Sequence, residues 1–254
     1  MSVAGLSCVA GKPSQKNMES VQSDLRANRL LALLDDASLQ ALAGRLERVE
    51  LAYRMNLYDE GSPMTHAWFP AEGVLSMLAS AQAAQTRIEV ATIGREGAAA
   101  VPLLLGARRS LGNLFPQVAG WGWRMEAEAF LDAVKSVPAF SRVMHVYAHA
   151  LLVQIAQGTA CNRAHDIDQR CARWLLQTHD RVEGDTFDLT QEFLADMLGE
   201  RRASVNQAAS ELQQRGYIRY TRGRIEIVDR AGLEDVSCGC YRLIREEYER
   251  ALMP

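Results

Sequence analysis

Apolar positions along this chain of 254 residues change their period several times, and each change predicts a different kind of element. Leu30, Leu33, Leu34, Leu39, Leu42 and Leu46 predict short helices, broken or capped at the Asp35-Asp36 pair and Ser38. From Glu47 the runs become short and partly branched or aromatic: Val49 to Leu57, His66 to Pro70, Gly73 to Leu78, Arg87 to Ile93 and Val118 to Met125. Gly, Pro and Ser separate them at intervals suited to a small β-barrel or jelly roll. After Pro138 the period turns helical, with Phe140, Val143, Met144, Tyr147, Leu151 and Ile155 at steps of three or four. That stripe either packs on its own β-core or zips against a second copy. Its near-heptad spacing favours the second reading, with Phe140, Met144, Tyr147, Leu151 and Ile155 as the dimer seam. Asn162 to Asp168 interrupts it, and Cys171, Trp174, Leu175 and Thr178 predict a further helix ending near Glu183-Gly184-Asp185.

The next segment is the most informative. Thr190 is suited to cap a short helix carrying Leu194, Ala195, Met197 and Leu198 on one face, which Gly199 ends. A second helix starts near Arg201 and buries Val205, Ala208, Ala209 and Leu212, leaving Ala203, Gln207, Ser210 and Gln214 on the opposite, small and polar side. Such a face enters a DNA major groove without steric conflict. Two alternating runs then flank a turn at Gly223, which reads as a wing whose tip carries Arg222 and Arg224.

The formal net charge of -3 argues against a nucleic-acid partner until its distribution is considered. Between Arg201 and Arg224, the basic residues Arg201, Arg202, Arg215, Arg219, Arg222 and Arg224 face a single acid, Glu211. The positive surplus therefore sits on the predicted winged helix-turn-helix, between about Thr190 and Val228. With 48% hydrophobic residues and no sustained apolar run, a globular protein that crosses no membrane is expected. Cys8, Cys161, Cys171, Cys238 and Cys240 form no Cys-x-x-Cys pair, and the odd count fits a reducing cytoplasm. The first residues lack the basic start and apolar block of a secretory signal and read as a mobile tail. There is no Gly-loop with Lys, no Ser nucleophile elbow and no His-Glu-x-x-His, so an enzyme is not expected.

The run LTQEFLADMLGERRASVNQAASELQQRGYIRYTRGRIEIVDRAGLE resembles the C-terminal winged helix of the Crp/Fnr family of bacterial regulators. Trp68-Phe69-Pro70-Ala71-Glu72-Gly73-Val74 and Ile93-Gly94-Arg95-Glu96-Gly97 look like parts of that family's β-roll. The resemblance implies an α+β chain divided into a tail (1–27), a cyclic-nucleotide-binding-type β-roll (28–137), a dimerisation helix (138–163), a winged helix-turn-helix (164–236) and a helical extension (237–254). It implies a homodimer on a pseudo-palindromic DNA duplex, with RNA polymerase as a further partner. Where the family's recognition helix opens with an Arg-Glu pair and a second Arg one turn on, this chain has Arg202, Ala203 and Gln207, so a different operator is expected. Arg202, Ser204 and Gln207 are the expected base readers, and Thr190, Arg201, Arg222 and Arg224 the phosphate contacts.

Nucleotide-binding relatives hold a phosphate with a Gly-Glu turn and an Arg-Ser pair, for which Glu96, Arg109 and Ser110 are the candidates here. The apolar stretch Ala98 to Leu105 between them makes the connection unlike the family's, so a solvated arginine pair is the plainer reading. The competing function class is a nucleotide-binding signalling module whose C-terminal domain engages protein. A lone Cys8 near the start does not supply an iron-sulfur ligand set. His145 and His149, four apart on the long helix, lack an evident third ligand, and no metal site or cofactor is expected. Cys238 and Cys240, the most exposed thiols by local composition, have the chemistry for redox sensing or a soft metal, but a structural or incidental role is the plainer reading.

Overall fold

Asn28 ties the start of the fold to two distant segments. Its side-chain oxygen caps a short helix, α1 (Arg29–Ala32), while its amide nitrogen donates to the carbonyls of Pro70 and Gly97 at 2.7 and 2.9 Å. Our computed structural model describes residues 23–81 and 86–253. Most of the expected tail, with Cys8, therefore lies outside the described residues. Its expected limit at residue 27 is too late, because Leu25 is fully buried in the core.

A second helix, α2 (Asp36–Ala43), starts at an Asp35 carboxylate that accepts from Ser38 N. Two antiparallel three-stranded sheets follow. One has the order β1 (Glu47–Leu51), β6 (Gly120–Glu126), β2 (His66–Pro70); the other has β4 (Thr86–Ile93), β3 (Val74–Ala81), β5 (Asn113–Val118). The run predicted to reach Leu57 stops at Leu51, where the chain turns through Arg54 at φ 58° and Arg54 N is bonded to Pro116 O. Strand β5 had no counterpart in the hydrophobic pattern. Pro116 within it breaks the alternation of a typical strand, yet its partner register runs Leu75↔Pro116 and Ser76↔Phe115 beside an irregularity. Between the sheets' connections sits a short helix, α3 (Val101–Leu104), inside the apolar Ala98–Leu105 stretch.

Helices α4 (Ala127–Ser136) and α5 (Pro138–Ala164) close the roll. Pro138 occupies the first turn of α5, where its missing N–H costs nothing, and the rings of Phe130 and Phe140 lie 6.4 and 6.1 Å from that of Phe69 on β2 and 5.7 Å from each other. Phe140, Met144, Tyr147 and Leu151 are all buried among the residues of this core, and Ile155 packs partly against it. The stripe expected to form the dimer seam thus faces inward, because the β-roll supplies the apolar surface that it covers. The face of α5 turned to solvent carries Val146 and Leu152, 44% and 53% exposed, with Ala156 and Ala160.

A second core forms around α6 (Ile167–His179), α7 (Gln191–Leu198), α8 (Arg202–Gln214) and the sheet β7 (Thr186–Asp188), β9 (Arg224–Ile227), β8 (Ile218–Thr221). Strand β7 and the helix α9 (Arg230–Val236) are elements that the sequence pattern did not reveal. The final helix, α10 (Gly239–Ala251), returns to the first core: Ile244, Tyr248 and Ala251 are buried there, and the Tyr248 ring lies 6.3 Å from that of Tyr147. No helix of the described residues is long and apolar enough to cross a membrane.

Candidate nucleic-acid interface

Three local devices set the geometry of α7, α8 and the hairpin. Thr190 Oγ1 accepts from Phe193 N at 3.1 Å, so the hydroxyl caps α7 at an exposed position. Gly199 ends α7 in the left-handed region at φ 64°, and a Cβ there would lie 2.8 Å from Ile88 Cγ1 of the β-roll, so both conformation and space select glycine. Arg170, buried on α6, then holds the turn between the helices, with Nη1 on Glu200 Oε1 and Nη2 on Leu198 O. No periodicity marked Arg170 out, because a single arginine on a helix face carries no pattern.

Helix α8 buries Val205, Ala208, Ala209 and Leu212 and turns Arg201, Arg202, Ala203, Gln207, Ser210 and Gln214 to solvent. Ser204 is half-buried on the same side. The Gln207 amide rests on Glu211 Oε1 at 3.1 Å, a contact that a base edge would have to replace. Arg201 also lies on the rim of a cleft of about 1100 Å³ between α7 and the β-roll, lined by Arg54, Arg87, Phe115 and Phe193 among others.

The hairpin is held to the helices by Tyr220, whose N–H donates to Gln213 Oε1 and whose hydroxyl donates to Leu189 O, both at 2.7 Å. Ile218, Ile225 and Ile227 seal its underside. Thr221 pairs with Arg224 across a two-residue loop, in which Arg222 at φ 49° and Gly223 at φ 81° both take the left-handed region that a type I′ turn demands. Arg222 and Arg224 are therefore presented at the tip, with Arg224 Nε on Asp188 Oδ1 at 3.1 Å in an exposed, weak pair. An arginine is a poor fit to positive φ. Arg222→Asn is expected to raise stability by up to about 1 kcal/mol, measurable as a higher urea midpoint, while lowering the salt slope of DNA binding by about one phosphate's share.

Two helices crossing through a tight Gly turn, the second with a small polar outer face, followed by a three-stranded sheet with a cationic tip, form a winged helix-turn-helix. Residues 169–236 match the profile of the Crp-like helix-turn-helix domain. The chain carries a Crp-like helix-turn-helix domain on a Crp/Fnr-type fold. Its structural neighbours include a chain from Eubacterium rectale assigned to the Crp/Fnr family of transcriptional regulators, 15% identical, covering 83% of this chain and 98% of its own with a TM-score of 0.63. The c-di-GMP-responsive global regulator CLP of Xanthomonas campestris covers 76% of this chain and 99% of its own at 14% identity and TM-score 0.61. FixK2 of Bradyrhizobium japonicum covers 76% and 98% at the same identity, 14%, and TM-score, 0.61. Among curated proteins no sequence match is found.

The three residues considered for an effector are engaged elsewhere. Glu96 is buried, accepting from Gly94 N at 3.1 Å and from Arg181 Nε at 2.7 Å. Arg181 lies just after α6, in the approach to the Crp-like domain's sheet, and also donates to Gln177 O and Gln154 Oε1. Arg109 donates to Gly61 O and Ser110 to Gly112 O, both at 2.7 Å. An anion at Glu96 would have to displace an internal guanidinium, so the Gly-Glu turn works here as an anchor between the roll and α6.

Four possible metal ligands converge where the sequence reading assembled none. Cys161 and His165 lie one turn apart at the end of α5, and Cys238 and Cys240 flank the start of α10. Their ligand atoms all lie within 4.8 Å of one another. The expectation that Cys238 and Cys240 are exposed is corrected: both are buried, because their sulfurs turn inward onto Cys161 as α10 packs on α5. His145 and His149 contribute nothing to this set; His145 Nδ1 meets Ser141 O at 2.7 Å and His149 Nε2 faces Glu247 at 3.4 Å.

Proposed function

We propose that this protein is a DNA-binding transcription regulator of the Crp/Fnr type that acts as a homodimer on a pseudo-palindromic site. The observation that carries the reading is the outer face of α8, small, polar and edged by Arg201 and Arg202, beside a wing that offers Arg222 and Arg224 to the flanking backbone. Arg202, Ser204 and Gln207 read bases. Thr190, Arg201, Arg222 and Arg224 grip phosphates, Thr190 by donating the hydroxyl proton that its cap does not use. The second copy docks on the outward face of α5, where Val146, Leu152, Ala156 and Ala160 place apolar atoms in solvent along several turns.

Selection of bound duplexes from a random pool tests this directly. The expected product is a pair of inverted half-sites centred about one helical turn, 10–10.5 bp, apart. Arg202→Ala is expected to relax one position in each half-site at a cost of about 1–3 kcal/mol. A loss spread evenly over all sequences reassigns Arg202 to the backbone, and the absence of any enriched sequence refutes sequence-specific binding.

A further inference from the structure

We propose that Cys161, His165, Cys238 and Cys240 bind one tetrahedral divalent ion of the zinc class, which pins together the two points where the chain enters and leaves the Crp-like domain. In a mononuclear zinc site with Zn–S near 2.3 Å and Zn–N near 2.0–2.1 Å, tetrahedral geometry puts ligand atoms about 3.5–3.8 Å apart. Here Cys161 Sγ and Cys238 Sγ are 3.4 Å apart and Cys240 Sγ and His165 Nδ1 are 3.5 Å apart. All the pairs fall within 4.8 Å, so small side-chain adjustments bring the four atoms onto a single ion. A cluster of several irons needs its thiolates spread around a larger body than this.

The surroundings suit the ion. Two ligands are spaced i, i+4 across the C-terminal end of α5, with His165 as its cap residue, and two are spaced i, i+2 across the start of α10. Gln157 Nε2 lies 3.2 Å from Cys240 Sγ and donates to it, the kind of outer contact that orients a thiolate. Three thiolates and one imidazole around a dication leave one negative charge. Arg173, buried beside Cys161, supplies the opposite one: it bonds Gln177 Oε1 at 2.8 Å and its Nε has no hydrogen-bond partner among the described residues. Binding exchanges the three thiol protons for one dication, and the protons pass to solvent.

The position in the fold gives the site its purpose. Residues 166–237, between His165 and Cys238, include the whole helix-turn-helix and wing. Closing that loop with a metal removes conformational freedom from the unfolded chain and fixes the hinge from which the Crp-like domain departs.

The test uses the full chain, purified with a thiol reductant, stripped with a chelator and titrated with Co²⁺ and then Zn²⁺. One ion per chain is expected, with the intense visible bands of tetrahedral Co²⁺ and a sulfur-to-cobalt charge-transfer band, both abolished as Zn²⁺ displaces cobalt. Cys238→Ser and Cys240→Ser are expected to weaken binding by more than the roughly tenfold to hundredfold seen when an outer-shell partner is lost. His165→Cys, which keeps four donors, retains the bands with stronger charge transfer. Cys171→Ser is unaffected, since Cys171 is buried in the other core. A wild-type chain with its native circular dichroism but no tetrahedral cobalt bands overturns the proposal. So does recovery of Cys161 and Cys238 as a disulfide in metal-free chain isolated from cells under alkylation.

Discussion

Glu96→Ala is expected to destabilise the protein by about 3–5 kcal/mol, the loss typical of removing one partner from a buried ion pair. The Arg181 and Glu96 side chains are 5% and 8% exposed, and their 2.7 Å contact joins the turn after β4 to the segment after α6. Burial alone would lower the pKa of Arg181; the Glu96 carboxylate beside it more than offsets that, and the net direction is upward. With Glu96 truncated, the guanidinium keeps Gln177 O, Gln154 Oε1 and a position 5.5 Å from the Tyr248 ring, but loses its counter-charge. Urea denaturation measures the loss. Replacing both partners, as Glu96→Leu with Arg181→Met, is expected to recover most of it, since the cost lies in the stranded charge rather than in the absent attraction. A double variant no more stable than Glu96→Ala would refute this account of the pair.

The second large effect depends on pH and runs opposite to ordinary acid denaturation. Glu89 lies half-buried on β4, with Ser76 Oγ donating at 2.7 Å and Trp174 Nε1 at 3.0 Å. Burial pushes its carboxyl up to about 7, only partly countered by those two donors and by Arg173 and Arg181. The folded state therefore holds a proton that the unfolded chain has released above the ordinary carboxylate value of 4.5. Stability from this group is fully present below pH 4.5 and is lost as pH rises through about 7. Glu89→Gln keeps an oxygen for Trp174 and cannot ionise. Relative to wild type it is expected to gain on the order of 3 kcal/mol between pH 4.5 and pH 8. Urea midpoints at both ends of the range read the difference. Parallel pH profiles for the two proteins would show that Glu89 ionises at an ordinary pKa.

Much of the winged helix was legible because each of its parts carries a local signature. Thr190 caps, Gly199 and Gly223 take positive φ, and alternation buries Ile225 and Ile227. The stripe on α5 shows where pattern reading stops. Phe140, Met144, Tyr147 and Leu151 announce a buried helix face, but periodicity is blind to whether a second copy or the chain's own sheet does the burying. Strand β5 was missed because Pro116 breaks its alternation, and β7 because three residues are too few for a period. Glu96 and Arg181 are separated by 85 positions, and Cys161 and Cys238 by 77. Only tertiary packing creates such pairs, here the return of the last helix onto α5 and the docking of α6 against the roll. The wing's charge, by contrast, was readable from composition alone once it was counted over the segment instead of the whole chain.

The central claim is that α8 and the wing hold a DNA duplex through their arginines. The most direct measurement is the dependence of duplex affinity on salt, taken by fluorescence anisotropy for the wild type and for Arg222→Ala with Arg224→Ala. Each phosphate contact contributes about -0.9 to the slope of log K against log salt. A negative wild-type slope several contacts deep is expected, made shallower by about 1.8 per protomer in the double variant. Affinity that is absent at low salt, or a slope unchanged by removing both wing-tip arginines, would contradict the account.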